Sequence, residues 1–230
     1  MATKNEIIYS IMDKLSPHLT DDNEISIREI SFEIDNVRAL FLRNELNKNR
    51  TIDSNIIQDL GCVEMEISDT AECCEVSSGC KIIRTKLEIP TAIELHNSTA
   101  LTRVGPVDKM EQDYSFISST RAKFTGNGKY NQNNIYAFLH NKKIYLVSKN
   151  DKLKFIKYIN IAGVFENPED VGLFSSCSGE TCYTFNSKYP INSWMINHIT
   201  DAVYNKFITT LNIPLDKTND GDSVDLNPNK

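Results

Sequence analysis

The residues best equipped for chemistry are six cysteines: Cys62, Cys73, Cys74, Cys80, Cys177 and Cys182. A structural zinc takes four soft ligands at tetrahedral distances, usually delivered by two C-x₂₋₄-C knuckles. The spacings here are C-x₁₀-C-C-x₅-C and, far along the chain, C-x₄-C. No C-x₂-C knuckle occurs, and adjacent Cys73-Cys74 cannot easily aim both thiolates at one metal. Reduced, partly buried thiols are the leading reading. A structural zinc and a disulfide such as Cys177–Cys182 stand as alternatives.

The four histidines, His18, His96, His140 and His198, include no pair at the i, i+4 spacing of a metal-binding helix. They read as surface or structural residues, although a Cys–His dyad needs only to meet in space. Phosphate-cradling loops and a G-x-S-x-G nucleophile elbow are absent from the sequence. Gly126-Asn127-Gly128 reads as a turn. Asp216, Asp220, Asp222 and Asp225 faintly resemble a calcium loop, but counting from Asp216 the twelfth position is Asn227 instead of the bidentate Glu. Glu64 and Glu66 share one strand face, where solvated alternation is the default. Asn97-Ser98-Thr99 is a formal sequon without the secretory context that would use it. No catalytic, cofactor-binding or metal-binding residue is assigned, and no cofactor is expected.

The elements that would position any site come from periodicity. Residues 3–16 predict an amphipathic helix capped by Thr3, with Ile7, Ile8, Ile11, Met12 and Leu15 on one stripe and Pro17 after it. After the polar break at residues 20–23, Ser26 and Glu29 form a capping-box pair that starts a second helix. Its apolar face is read as Ile27, Ile30, Ile34, Val37 and Phe41; most of Arg28, Asp35, Arg38 and Arg43 are expected to meet solvent or a partner. A helical turn is expected from Asp53 to Leu60, ending at Gly61. Period two then takes over. Cys62–Ser68 alternates with Val63, Met65 and Ile67 on one side, and Lys81–Ile89 reads as a strand. Residues 134–140 and 143–148 form a hairpin about Asn141-Lys142. A further strand, Lys154–Phe165, stops at Asn167-Pro168. Helical spacing returns over 191–212 through Ile196, Ile199, Val203, Phe207 and Leu211, with Ser193 as a plausible cap.

This order predicts an α+β fold with N-terminal helices, an antiparallel β-rich middle and one C-terminal helix. We expect a single unit over residues 1–213, helical over 1–60, β-rich over 61–187 and helical over 188–213. A flexible acidic tail follows at 214–230. The 230 residues are 40% hydrophobic and 24% charged, so a sizeable core needs no disulfide framework. No apolar run approaches the roughly 18 residues of a membrane span. The formal charge of −6 repels phosphate backbones.

Five segments together carry a resemblance: DDNEISIREI at 21–30, LNKNRTIDSNIIQDLGCVEMEI at 46–67, ELHNSTALTRVGPVDK at 94–109, NIYAFLHNKKIYLVSKN at 134–150 and YINIAGVFENPED at 158–170. Over residues 5–200 the chain resembles structural proteins of crAss-like phages, the short-tailed phages of gut Bacteroides, and among them a ring protein of the neck. The resemblance implies a virion component assembled in the host cytoplasm. It implies a homo-oligomeric ring of about twelve copies, docked on or below the portal and against other neck or tail rings. DNA would pass through the lumen without sequence-specific binding, with no membrane involved. It brings no catalytic residue. The loop 69–80 and the segment 97–115 become candidate ring-to-ring contacts. The second helix becomes a principal packing element, so Ile34→Asp should prevent folding while Arg38→Glu, on an exposed face, should impair assembly alone. A zinc-stabilised regulatory or nucleic-acid-associated module and a Cys-dependent enzyme are the competing readings.

Overall fold

The computed structural model describes residues 2–19, 25–48, 53–69, 81–96, 98–125, 131 and 133–211. The polar break at 20–23, Cys73, Cys74, Cys80, the Gly126–Gly128 turn and the acidic tail lie outside the described residues. Helices α1 (Lys4–Leu15) and α2 (Ile27–Asn47) come first. Strands β1 (Gln58–Asp59), β2 (Val63–Asp69), β3 (Lys81–Thr85), β4 (Leu101–Gly105) and β5 (Ser115–Phe116) follow. A single-turn helix α3 (Ser119–Ala122) precedes β6 (Tyr136–His140), β7 (Lys143–Val147) and β8 (Tyr158–Gly163), and α4 (Ser193–Leu211) is the last helix described. This is the α+β order expected from the sequence.

Both N-terminal helices start where their capping boxes place them. Thr3 Oγ1 accepts from the Glu6 N–H and Glu6 Oε2 accepts from the Thr3 N–H; Ser26 and Glu29 repeat the exchange. The helices α1, α2 and α4 enclose a core of Ile7, Ile11, Leu15, Ile30, Ile34, Leu42, Met195, Ile199 and Val203. The inward stripe of α2 differs from the expected one. It steps strictly by four through Ile30, Ile34, Arg38, Leu42 and Leu46, while Ile27 is exposed and Val37 and Phe41 only flank the core.

The strands form a curled sheet in which β8 is paired along both edges. One edge holds β4, and the other holds β1 and then β2. From β2 the order continues through β3, β7 and β6 to β5, which is parallel to β6. The chain between β4 and β5 bridges the two ends of this sheet. The Tyr114 N–H donates to Val104 O at 2.9 Å, and the Ser115 N–H to Ile135 O at 3.1 Å. Val63, Val104, Ala137, Ile144, Leu146, Ile159 and Ile161 fill the interior, a second core beside the helical one.

The expected helical turn over 53–60 is instead a short turn followed by β1. Pairing with β8 draws Gln58 and Asp59 into the sheet, and Gly61 ends the strand. The Gly61 φ of +67° puts a bulge between β1 and β2, and the pairing with β8 slips by one residue across it. The β6–β7 hairpin turns at Asn141 and Lys142, both at positive φ (48° and 58°), as its two-residue loop requires. The expected strand over 154–165 begins later, because residues 151–155 form a 3₁₀ helix.

Candidate assembly surfaces and the polar seam that positions them

A buried polar seam joins the helices to the curled sheet. Lys4, at the start of α1, has a fully buried side chain whose ammonium pairs with Asp35 Oδ2 of α2 at 2.6 Å and with Glu169. The Tyr189 hydroxyl donates to the other Asp35 oxygen at 2.6 Å. One turn along α2, Arg38 is also fully buried. Its Nε donates to Pro190 O at 2.9 Å and its Nη1 to Phe165 O at 2.8 Å, with the guanidinium 5.5 Å from the centre of the Tyr189 ring. Burial lowers the Arg38 pKa and pushes Tyr189 far up; for Tyr189 the Arg38 charge opposes that rise and Asp35 reinforces it.

The placement of Arg38 on an exposed face is therefore corrected. The residue sits on the inward stripe of α2, where the helix crosses carbonyls at the end of β8 and before α4, and its donors satisfy them. Arg28 and Arg43 are exposed as expected. Reasoning from residue type missed Lys4, Arg38 and Tyr189 as a group. The available signal was Arg38 standing four residues from both Ile34 and Leu42 in an otherwise apolar row.

The cysteines also depart from expectation. Cys62 and Cys177 form a disulfide with Cα atoms 5.1 Å apart, instead of Cys177 pairing with Cys182 or both staying reduced. The bulge at Gly61 brings Cys62 to the segment carrying Cys177, and the Cys62 N–H donates to Ser175 O. Cys182 is free and half-buried; burial, then the nearby Asp59 charge, pushes its thiol pKa up. Among the described residues, no three metal-ligating side chains cluster to hold a metal. The histidines are dispersed: His18 meets Tyr204, His140 meets Tyr145 and His198 meets Trp194. Glu64 and Glu66 form a cross-strand ladder with Lys86 and Arg84.

Within the candidate contact segment 97–115, residues 106–113 are firmly tethered. Arg103 Nε donates to Asp113 Oδ1 at 2.7 Å, Nη1 to Asn160 Oδ1 at 2.8 Å and Nη2 to Pro106 O at 3.2 Å. Lys109 pairs with Asp59 at 2.8 Å. Burial would raise the Asp59 pKa, but hydrogen bonds from Lys109, the Gly61 N–H and Asn160 hold it below the ordinary value. At the tip, Met110 is 94% exposed. The other candidate contact, loop 69–80, lies outside the described residues apart from the end of β2. On the outer face of α2, Phe32 and Leu40 are exposed one turn either side of Asn36. Apolar side chains held outward on rigid elements suit protein contact.

No helix of the described residues is long and apolar enough to cross a membrane. The family model described as phage tail ring protein 2 matches residues 6–226. Ring protein 2 of Bacteroides phage crAss001 is 23% identical over 206 residues, which cover 87% of this chain and 88% of that relative. The match runs beyond residue 200, where the sequence resemblance was expected to stop, and takes in most of the acidic tail. Over nearly its whole length, this chain belongs to the phage tail ring protein 2 family, a family of virion structural proteins.

Proposed function

We propose that the protein is a ring-forming adaptor in the neck of a short-tailed phage, docked on or below the portal and lining part of the DNA conduit from capsid to tail. The family match over residues 6–226 carries this reading. A closed ring of identical chains needs two unlike patches on each subunit that meet head to tail. The outer face of α2, with Phe32 and Leu40, and the tethered loop bearing Met110 are two exposed patches on different elements. Charge supports the conduit. At −6 per chain, a ring of about twelve would carry roughly −72, which favours passage of DNA over grip. In this role the protein works through surfaces and breaks no bond. Residues 1–213 act as one unit and 214–230 as an appendage to it.

The test is particle composition joined to a reconstruction of the neck. The expected result is this chain in mature particles, as a ring of about twelve in register with the portal. Absence from particles, or a position on the capsid shell or tail fibres, overturns the proposal.

A further inference from the structure

The hairpin over residues 174–182 is rooted at its base and lightly held at its tip. Phe174 and Tyr183 are buried in the second core. The two arms pair through the Ser176 N–H to Glu180 O at 2.7 Å and the Cys182 N–H to Phe174 O at 3.0 Å. The turn closes on itself, with the Gly179 N–H donating to Ser176 O at 2.9 Å. The hairpin thus satisfies its own backbone and keeps its shape without a neighbour. Its tip, residues 175–181, brings no apolar anchor to the body: Ser176 is half-buried and the other residues are exposed.

Among the described residues, two bonds tie this tip to the body. One is the Cys62–Cys177 bridge, and the other is the Cys62 N–H donating to Ser175 O at 3.2 Å. Gly61 shapes the seat, since a Cβ there would lie 2.6 Å from Ser175 O. The seat itself is fixed from behind by β8. The Leu60 N–H donates to Ile161 O at 2.9 Å, and Gly61 O accepts from Asn160 Nδ2 at 3.0 Å. Between the tip and the foot of loop 106–113 lies an open cavity of about 400 Å³. Val107 and Lys109 wall it on one side, and Ser176, Glu180 and Cys182 on the other. The tip therefore borders space instead of packed side chains. A single backbone hydrogen bond on an exposed tip exchanges readily with water, so the closure rests on sulfur.

We propose that the tip 175–181 is a redox-latched flap: the Cys62–Cys177 bond holds it against the Gly61 bulge, and a dithiol reductant frees it to swing about Phe174 and Tyr183, opening the cavity at the foot of loop 106–113. Exposure sets the direction of attack, because Cys177 is exposed and Cys62 half-buried. A thiolate of the reductant attacks Cys177 Sγ, and Cys62 leaves as a thiolate that takes up a proton. The second thiol of the reductant then displaces Cys177 and closes a cyclic disulfide. Two electrons and two protons pass to the two cysteines, and the hydrogen bonds inside the hairpin are untouched. The latch stands without the ring reading, although it borders a loop which that reading uses.

The test is amide hydrogen exchange read by NMR on the full chain, oxidised and then reduced with dithiothreitol, beside Cys177→Ser as a permanently unlatched variant. The Cys62 amide should exchange about fivefold or more faster with the latch open, in reduced parent and variant alike. The Leu60, Ser176 and Gly179 amides should keep their rates. Cys182 gives a second reading, because it lines the cavity. Its alkylation by iodoacetamide, resolved by peptide mass, should run about fivefold or more faster in Cys177→Ser than in the oxidised parent. Unchanged Cys62 exchange or unchanged Cys182 alkylation overturns the flap. Lost protection at Ser176 and Gly179 overturns it too, since the hairpin would then melt instead of swinging. Equal quickening at Leu60 would mean a general loosening, and a dithiothreitol response persisting in Cys177→Ser would place the switch at other sulfurs; either overturns the latch.

Discussion

Replacing Arg38 by Met probes the seam directly. The side chains are similar in length, so the change leaves little cavity and isolates the guanidinium. Two buried hydrogen bonds from a charged donor are lost, at 2.9 and 2.8 Å, each worth about 1.5–3 kcal/mol net. The stacking over Tyr189 adds about 0.5–2 kcal/mol. Against this, the variant no longer desolvates a charge, and exchanging buried ionic groups for apolar ones is often neutral. That relief is incomplete here, because the acceptors are main-chain carbonyls of Phe165 and Pro190 that stay buried when their donor goes. The balance is a loss of about 2–4 kcal/mol, a large share of the about 5–15 kcal/mol typical of a folded protein. Arg43→Met, on the exposed face, should change stability by less than about 0.5 kcal/mol. Arg38→Lys should fall between them, since an ammonium keeps the charge but cannot fork to two carbonyls. Urea unfolding followed by circular dichroism and by fluorescence of Trp194, the single tryptophan, gives all three values. If Arg38→Met costs under about 1 kcal/mol, or no more than Arg43→Met, the seam does not hold the layers together and the reasoning is wrong.

Gly61→Ala should destabilise by about 2–4 kcal/mol, because a Cβ would lie 2.6 Å from Ser175 O at a φ of +67°. Gly179→Ala, also at positive φ but with open space around it, should cost only about 1 kcal/mol, and equal urea midpoints would contradict this. Reducing the Cys62–Cys177 bond, which spans 115 residues, should lower stability by about 2–5 kcal/mol, read as a shift in urea midpoint with reductant; an unmoved midpoint would argue against the pairing. The Asp59 pKa is depressed in the folded chain, so its stabilisation is complete above the ordinary aspartate value of about 3.9 and is lost as the pH falls through the lower folded value. Hydrogen exchange in residues 106–113 should quicken in that acidic window for the parent, and by less in Asp59→Asn, which keeps only the Arg103–Asp113 tether.

Local signals in the sequence were reliable where the physics is local. Thr3, and Ser26 with Glu29, set both helix starts, and Asn141-Lys142 set a hairpin. They failed where a distant partner decides. Arg38 reads as a solvent residue by type, and only carbonyls 127 and 152 positions away make it an interior one. Ile56, Ile57 and Leu60 have helical spacing, yet pairing with β8 draws their neighbours Gln58 and Asp59 into a strand. Ile67 keeps the apolar parity of β2, but alternation cannot tell where a strand outruns the sheet that would cover it. The disulfide was illegible for the same reason, since Cys182 is near Cys177 in sequence and Cys62 is not. Of the candidate surfaces, the segment 97–115 was legible as a position. The Arg103 and Asp59 contacts that stiffen it depend on β8 and β1.

The Cys62–Cys177 bond also has a mechanical meaning. If the chain is pulled from its two ends, tension runs from residue 62 straight to residue 177 through sulfur, and everything between them is bypassed. That bypassed stretch contains β2 through β8, so these strands bear no load along their backbone and cannot be paid out as extended polypeptide. Only the flanking segments, the helices together with β1 and the stretch 178–192, can lengthen. Under load the chain would thereby yield outside the loop closed by sulfur while β2 through β8 stay whole.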